Sequence, residues 1–187
     1  PFPTHAYRLF VEFSVMERYV VFVSVETGRV IESISQVYTS FYDSSGTDLK
    51  GLTQTFRSEL KAGRYQLVDD QSPAGARTEV RDLGGGDIED YNTAPLVTAS
   101  SSSGPWNQSA VSAISNAKKT TDYFDEIHGR NGLNGLGGGT RSFVNVTFDG
   151  SGDNAMTSGN LIWYGTGSEN FSDFAAALDV AAHEFTH

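Results

Sequence analysis

The residues with the clearest capacity for chemistry lie in the stretch LDVAAHEFTH, residues 178–187. His183 and His187 are four positions apart, and Glu184 directly follows the first of them. On a helix, side chains four positions apart lie one above the other on the same face. The two imidazoles would therefore point to one position in space, as two ligands of a zinc ion must. Glu184, about a third of a turn round the helix, could act as a general base toward a metal-activated water.

The alternative is that two histidines and a glutamate meet by chance on a polar helix face. Typical residue frequencies give this pattern by chance on the order of once in a few hundred sequences of this length. The context also favours a real helix, because apolar residues such as Leu178 and Ala181 precede and flank the motif. Ser172 or Asp173 is placed to cap a helix that begins near Ala175. The pattern therefore indicates a functional zinc-binding helix.

The elements that must position this helix form an α+β pattern. The first part of the chain alternates apolar and polar residues and is rich in β-branched and aromatic side chains, which predicts a small antiparallel sheet. Signals between residues 36 and 104 are weaker and indicate hairpins. An amphipathic helix then begins at Asn107 or Ser109 and ends at Gly129. The predicted strands with clear boundaries are 6–13, 19–25, 30–34, 141–148 and 161–164, and residues 132–139 are predicted to be a glycine-rich loop.

Composition excludes several classes of protein. The 187 residues carry a formal net charge of −10, so a nucleic-acid backbone is an unfavourable partner. Cysteine is absent, which excludes disulfides, thiolate metal sites and a cysteine nucleophile. No apolar run has the length needed to span a membrane. We therefore expect neither a nucleic-acid partner nor a membrane partner, and the acidity suits a secreted or cation-binding protein.

Three longer stretches resemble the thermolysin family of zinc metallopeptidases. LDVAAHEFTH, preceded by NAMTSGNLIWYGTGSENF (residues 154–171), is similar to the family's substrate-binding edge strand, second strand and zinc helix in that order. SAVSAISNAKKTTDYFDEIHGRNG (109–132) is similar to the family's long helix. YVVFVSVETGRVIE (19–32) resembles the end of the PepSY-type propeptide that precedes the catalytic domain. The resemblance is strongest after residue 106 and weakest over 43–104.

The resemblance implies a set of functional residues and two metals, zinc and calcium. The implied roles are zinc ligation for His183 and His187, general-base catalysis for Glu184, calcium ligation for Asp179, and binding of the substrate peptide by Asn154 and Ala155. A solvated helix-face carboxylate remains the alternative for Asp179, and a simple turn residue is the alternative for Asn154. Met156 and Thr157 stand where the family usually has aromatic residues, so the neighbouring specificity pocket should differ.

The resemblance also implies the organisation and activity of the protein. Residues 1–40 would be the end of a propeptide sheet that binds its own catalytic domain, and residues 41–187 would be the N-terminal lobe of that domain. The third zinc ligand would lie past His187, so we expect this chain to be an inactive fragment of a secreted zymogen that hydrolyses proteins and peptides. Two alternatives stay open: a secreted β-rich binding or adhesion module with an incidental terminal helix, and a zinc peptidase of another family.

Overall fold

The structure is a computed structural model that describes residues 6–14, 17–35, 40–70 and 77–187. The chain divides into two compact units, residues 1–40 with 61–63 and residues 41–60 with 64–187. Among the described residues, no helix is both long and apolar enough to cross a bilayer.

The first unit contains a three-stranded antiparallel sheet with the order β1-β2-β3. Its strands are β1 (Ala6–Ser14), β2 (Glu17–Ser24) and β3 (Val30–Ser35). Gly28 has a φ of 66°, a left-handed conformation that favours glycine, in the turn between β2 and β3. The sequence prediction of a small antiparallel sheet here is confirmed.

The rest of the described residues form eleven short strands and two helices. The strands are β4 (Ser40–Thr47), β5 (Thr53–Lys61), β6 (Arg64–Gln66), β7 (Val68–Asp69), β8 (Thr78–Asp82), β9 (Thr98–Ala99), β10 (Asn131–Gly132), β11 (Leu136–Gly138), β12 (Arg141–Val146), β13 (Ala155–Ser158) and β14 (Leu161–Gly165). The helices are α1 (Gln108–His128) and α2 (Leu178–Thr186), and two 3₁₀ turns span Ile88–Thr93 and Phe174–Ala176.

Two larger sheets flank a common core. One has the order β4-β5-β6-β9, and the other has the order β13-β14-β12-β8-β7. In the second sheet β8, β12 and β14 run parallel, while β7 and β13 pair antiparallel at its two edges. The main hydrophobic cluster combines side chains from both sheets, including Phe56 and Ile162, with Val111 of α1 and Ala181 of α2. The predicted α+β class is confirmed.

Helix α1 forms where the apolar periodicity predicts it. The side chain of Asn107 accepts a hydrogen bond from the Ala110 amide at 3.0 Å, so Asn107 rather than Ser109 is the N-cap. Gly129 closes the helix in the left-handed conformation. The first half of α1, residues 109–117, is wholly buried and contains mostly alanine and serine. These small side chains let neighbouring elements approach the helix closely.

Two local predictions were wrong. Asp173 caps the 3₁₀ turn Phe174–Ala176, and the chain then breaks at Ala177 (φ −97°, ψ 116°) before α2 begins without a side-chain cap. The Asp173 side chain accepts a hydrogen bond from the Ala175 amide, within the 3₁₀ turn, and it does not cap α2. The loop predicted over 132–139 instead pairs β10 with β11 in parallel, because Asn134 accepts the amides of two residues in its turn.

Candidate metal centre

Helix α2 is held in place by an aromatic contact with α1. Phe185 is 1 % exposed and stacks on Phe124 with ring centroids 5.6 Å apart and planes 22° apart. The guanidinium of Arg130 lies 5.3 Å from the centre of the Phe124 ring and 5.7 Å from that of Phe185. Because the Phe185 ring is buried, the rotation of α2 about its axis is fixed. His183 and His187, on the opposite face of the helix, must then point away from the core.

The two histidines of α2 converge on that outward face. Both are exposed, and their Nε2 atoms are 3.0 Å apart with the rings nearly perpendicular. Two nitrogens that bind one zinc ion at about 2.0–2.1 Å with tetrahedral geometry are separated by about 3.4 Å. The observed separation of His183 and His187 is within a few tenths of an ångström of that value. The two side chains therefore fit two ligands of one zinc ion.

Glu184 lies on a different side of α2 and is only 7 % exposed. The Thr157 hydroxyl, on the edge strand β13, is 2.7 Å from Glu184 Oε2 and 3.0 Å from the Glu184 main-chain oxygen. A carboxylate that is this strongly buried needs such a partner, since an isolated buried charge is costly. The contact therefore fixes the position of the carboxylate relative to the two imidazoles.

The charge of the Glu184 carboxylate also acts on a buried tyrosine. Tyr164 of β14 is 1 % exposed. Burial, followed by the charge of Glu184, raises the pKa of the Tyr164 phenol well above its usual value. The phenol is therefore neutral near neutral pH, and it adds no second charge beside Glu184.

The strand that the resemblance assigns to substrate binding forms the edge of the five-stranded sheet. Asn154 is exposed and precedes β13, and its main-chain oxygen accepts the Gly165 amide at 2.9 Å. Ala155 begins β13, is half-buried and pairs with Tyr164 of β14. One edge of β13 is paired with β14, and the other is the free edge of the described sheet. Such an edge can add a further strand from a bound peptide.

Asp179 lies in the first turn of α2 and is exposed. A carboxylate there interacts favourably with the helix dipole, which is the alternative explanation for its presence. Within the described part of the chain, no group of three or more histidine, cysteine, aspartate or glutamate side chains is arranged to hold a metal ion. The structure thus brings together two zinc-type ligands and a carboxylate, but no third ligand and no calcium cluster among the residues it describes.

Sequence reasoning missed the role of Thr157 in this arrangement. The sequence marks this residue only as a departure from the family's aromatic pattern and does not predict its contact with Glu184. The available signal was the two-residue period of β13, which places Thr157 on the same face of the strand as Ala155. Without the fold, however, nothing indicated that this face meets α2.

Comparison with known proteins identifies the family. The model of the thermolysin metallopeptidase catalytic domain matches residues 43–187. The chain belongs to this family. A bacillolysin of Bacillus amyloliquefaciens is 31 % identical over 172 residues, which cover 89 % of this chain and 32 % of that protein. A zinc metalloproteinase of Listeria monocytogenes is 36 % identical over 84 residues, which cover 44 % of this chain and 16 % of that protein.

Among solved structures, this chain is similar to the precursor of protealysin, a metalloproteinase from Serratia proteamaculans. The TM-score is 0.48 at 21 % sequence identity, over 58 % of this chain and 33 % of that one. This chain spans about a third of the length of the bacillolysin that it matches. The predicted family is confirmed, and the roles assigned to individual residues stay predictions.

Proposed function

We propose that this chain is part of a secreted zinc metalloendopeptidase, with His183 and His187 as zinc ligands and Glu184 as the general base. The observation that carries the proposal is the 3.0 Å separation of the two Nε2 atoms, on the helix that also holds the buried Glu184 carboxylate. The name of the Listeria relative supports zinc as the metal. Secretion is supported by the family resemblance and by the acidic composition.

The chemistry follows from the donor set. Zinc, when bound by the imidazoles, supplies a Lewis acid that polarises the scissile carbonyl and acidifies water. His183 and His187 must be neutral to ligate it, so metal affinity should fall when the imidazoles are protonated. Glu184 accepts a proton from the attacking water and then passes it to the leaving amine. Its Oε2 accepts a hydrogen bond from the Thr157 hydroxyl.

The substrate is proposed to be an extended peptide bound along β13. Peptide binding by strand addition uses main-chain hydrogen bonds and therefore tolerates many sequences. Asn154 and Ala155 lie where the strand begins, and they would contact the peptide through main-chain groups and, for Asn154, its exposed amide. The exposed Met156 replaces a usual aromatic residue and would alter the adjoining side-chain preference.

The remaining assignments concern organisation and calcium. We propose that residues 1–40 are the end of a PepSY-type propeptide and that residues 41–187 are the N-terminal lobe of the catalytic domain. The three-stranded sheet in the first unit and the family match from residue 43 support that division. The propeptide would inhibit the enzyme until cleaved. Asp179 is proposed as a calcium ligand, supported by its exposure at the start of α2.

The test uses the full-length gene product, with bound metal quantified by elemental analysis and endopeptidase activity measured on casein. We expect one zinc per catalytic domain and activity that chelation abolishes and added zinc restores. Glu184→Gln should retain zinc and the fold but lose activity by at least a hundredfold, since a general base contributes on the order of 10²–10⁴. Full activity in Glu184→Gln would refute the mechanism. A folded protein without zinc or activity would favour a binding module instead.

A further inference from the structure

We propose that Thr157 is a positioning residue for the general base, and that its hydroxyl joins the substrate strand to the zinc helix. This inference rests on the proposed function of Glu184. It is carried by the contact between Thr157 Oγ1 and Glu184 Oε2 at 2.7 Å, made between residues 27 positions apart. The main-chain oxygen of Glu184 is the second acceptor within reach, at 3.0 Å.

The strand directs this side chain toward the helix. In β13 the side chains of Ala155 and Thr157 are half-buried, whereas those of Met156 and Ser158 are exposed. Thr157 pairs with Ile162 of β14, whose side chain is 1 % exposed. Side chains alternate between the two faces of a strand, so Ala155 and Thr157 share the more buried face of β13. This face meets α2, and it carries the Thr157 hydroxyl.

The chemistry of the two acceptors indicates which one the hydroxyl serves. A threonine hydroxyl has one proton and can donate it to only one acceptor at a time. The carboxylate is both the nearer acceptor and the charged one, and hydrogen bonds to charged groups are the stronger kind. Thr157 therefore donates to Oε2 of Glu184. This donation restrains the orientation of the carboxylate.

The position on the edge strand adds a second consequence. A peptide added to β13 would be hydrogen-bonded to main-chain groups of the strand that carries Thr157. A shift of β13 would then move the Glu184 carboxylate with it. The hydroxyl thus links the register of the bound peptide to the orientation of the base. The family usually places aromatic residues in this stretch. An aromatic side chain can donate a hydrogen bond only if it carries a polar hydrogen.

The experiment measures kcat and KM in the full-length protein for three variants. Thr157→Val keeps the shape of the side chain and removes the hydroxyl, and Thr157→Ser keeps the hydroxyl. Thr98→Val is the matched control, because it makes the same replacement in β9 of the other sheet, where the hydroxyl accepts a hydrogen bond from Arg64. We expect Thr157→Val to lower kcat roughly tenfold to a hundredfold with KM changed less than about threefold, because a misplaced base loses part of its effect. Thr157→Ser and Thr98→Val should stay within about twofold of wild type.

Hydrogen–deuterium exchange of the peptide covering β13 provides the readout that does not depend on activity. We expect faster exchange in Thr157→Val than in Thr98→Val. Faster exchange with unchanged kcat would mean that the hydroxyl only ties strand to helix, and it would overturn the positioning role. If Thr157→Val does not fold, Thr157→Ala is used with the same expectation, and a wild-type kcat there has the same meaning.

The failure of this inference can be told apart from the failure of the proposed function. If Glu184→Gln is inactive while Thr157→Val has wild-type kcat, the base is correctly assigned and the positioning role is wrong. If Glu184→Gln remains active, the proposed mechanism itself is wrong. A low kcat in Thr157→Val that Thr157→Ser restores supports both.

Discussion

The contact between Phe185 and Phe124 should determine whether α2 presents its histidines as a preformed pair. Replacing the 1 %-exposed Phe185 with alanine removes a buried ring, which costs about 3–5 kcal/mol in other protein cores. About 0.5–1.5 kcal/mol of such a loss is typical of the aromatic pair alone. Because 1.4 kcal/mol is a factor of ten in an equilibrium constant, a central loss of about 4 kcal/mol corresponds to a roughly thousandfold larger equilibrium constant for opening of the helix. Arg130 would also lose one of its two aromatic contacts.

The assay is amide hydrogen exchange across α2 together with titration of zinc into the metal-free full-length protein. Phe185→Ala should accelerate exchange in α2 by roughly a thousandfold and weaken zinc binding tenfold or more, since undocked histidines must be brought together again. Leu178→Ala is the matched control, because Leu178 lies on the same helix but is 42 % exposed. Its effect should be about twofold. If both variants exchange alike, the contact between Phe185 and Phe124 does not hold α2 in place.

Two further predictions concern the sheet that carries β13. Gly165→Ala would place a Cβ 2.0 Å from the Gly152 oxygen, so it should displace the chain before β13 and lower the melting temperature; a wild-type melting curve would contradict this. Partial burial by itself raises the pKa of the Glu79 carboxyl, but hydrogen bonds from Arg81 and Arg141 outweigh it and hold that pKa below its ordinary value of 4.5. A pKa lowered by folding gives stability that is complete above about pH 4.5 and is lost as the pH falls through the folded-state pKa. Urea unfolding across this range should therefore depend on pH more steeply in wild type than in Glu79→Gln.

The sequence predicted those elements that are determined by residues close together in the chain. Helix α1 was predicted from its periodicity because its buried stripe and both its caps, Asn107 and Gly129, lie within one continuous segment. The pairing of His183 with His187 was predictable for the same reason, since both belong to one helix and their spacing alone brings the rings together.

Contacts between distant segments account for what the sequence did not predict. Aspartate is a common helix-capping residue, and one carboxylate oxygen of Asp173 accepts the Ala175 amide. The other oxygen accepts a hydrogen bond from the hydroxyl of Ser109, 64 residues away. That contact holds it at the 3₁₀ turn instead of at the start of α2. The burial of Glu184 likewise depends on β13, which a pattern within α2 cannot reveal. These are tertiary effects that override local propensity.

The long helix links these observations, because it provides the surface on which the elements of the proposed site are assembled. Its buried Asn116 donates to the Ala175 carbonyl at 2.9 Å, and its Ser109 donates to Asp173, so both ends of the 3₁₀ turn before α2 are fixed to α1. Phe185 then stacks on Phe124 further along the same helix. With its entry and its buried face both attached to α1, α2 has little freedom to rotate. The histidines converge, and the Glu184 carboxylate reaches β13, because a helix without any proposed catalytic residue fixes the orientation of the helix that carries them.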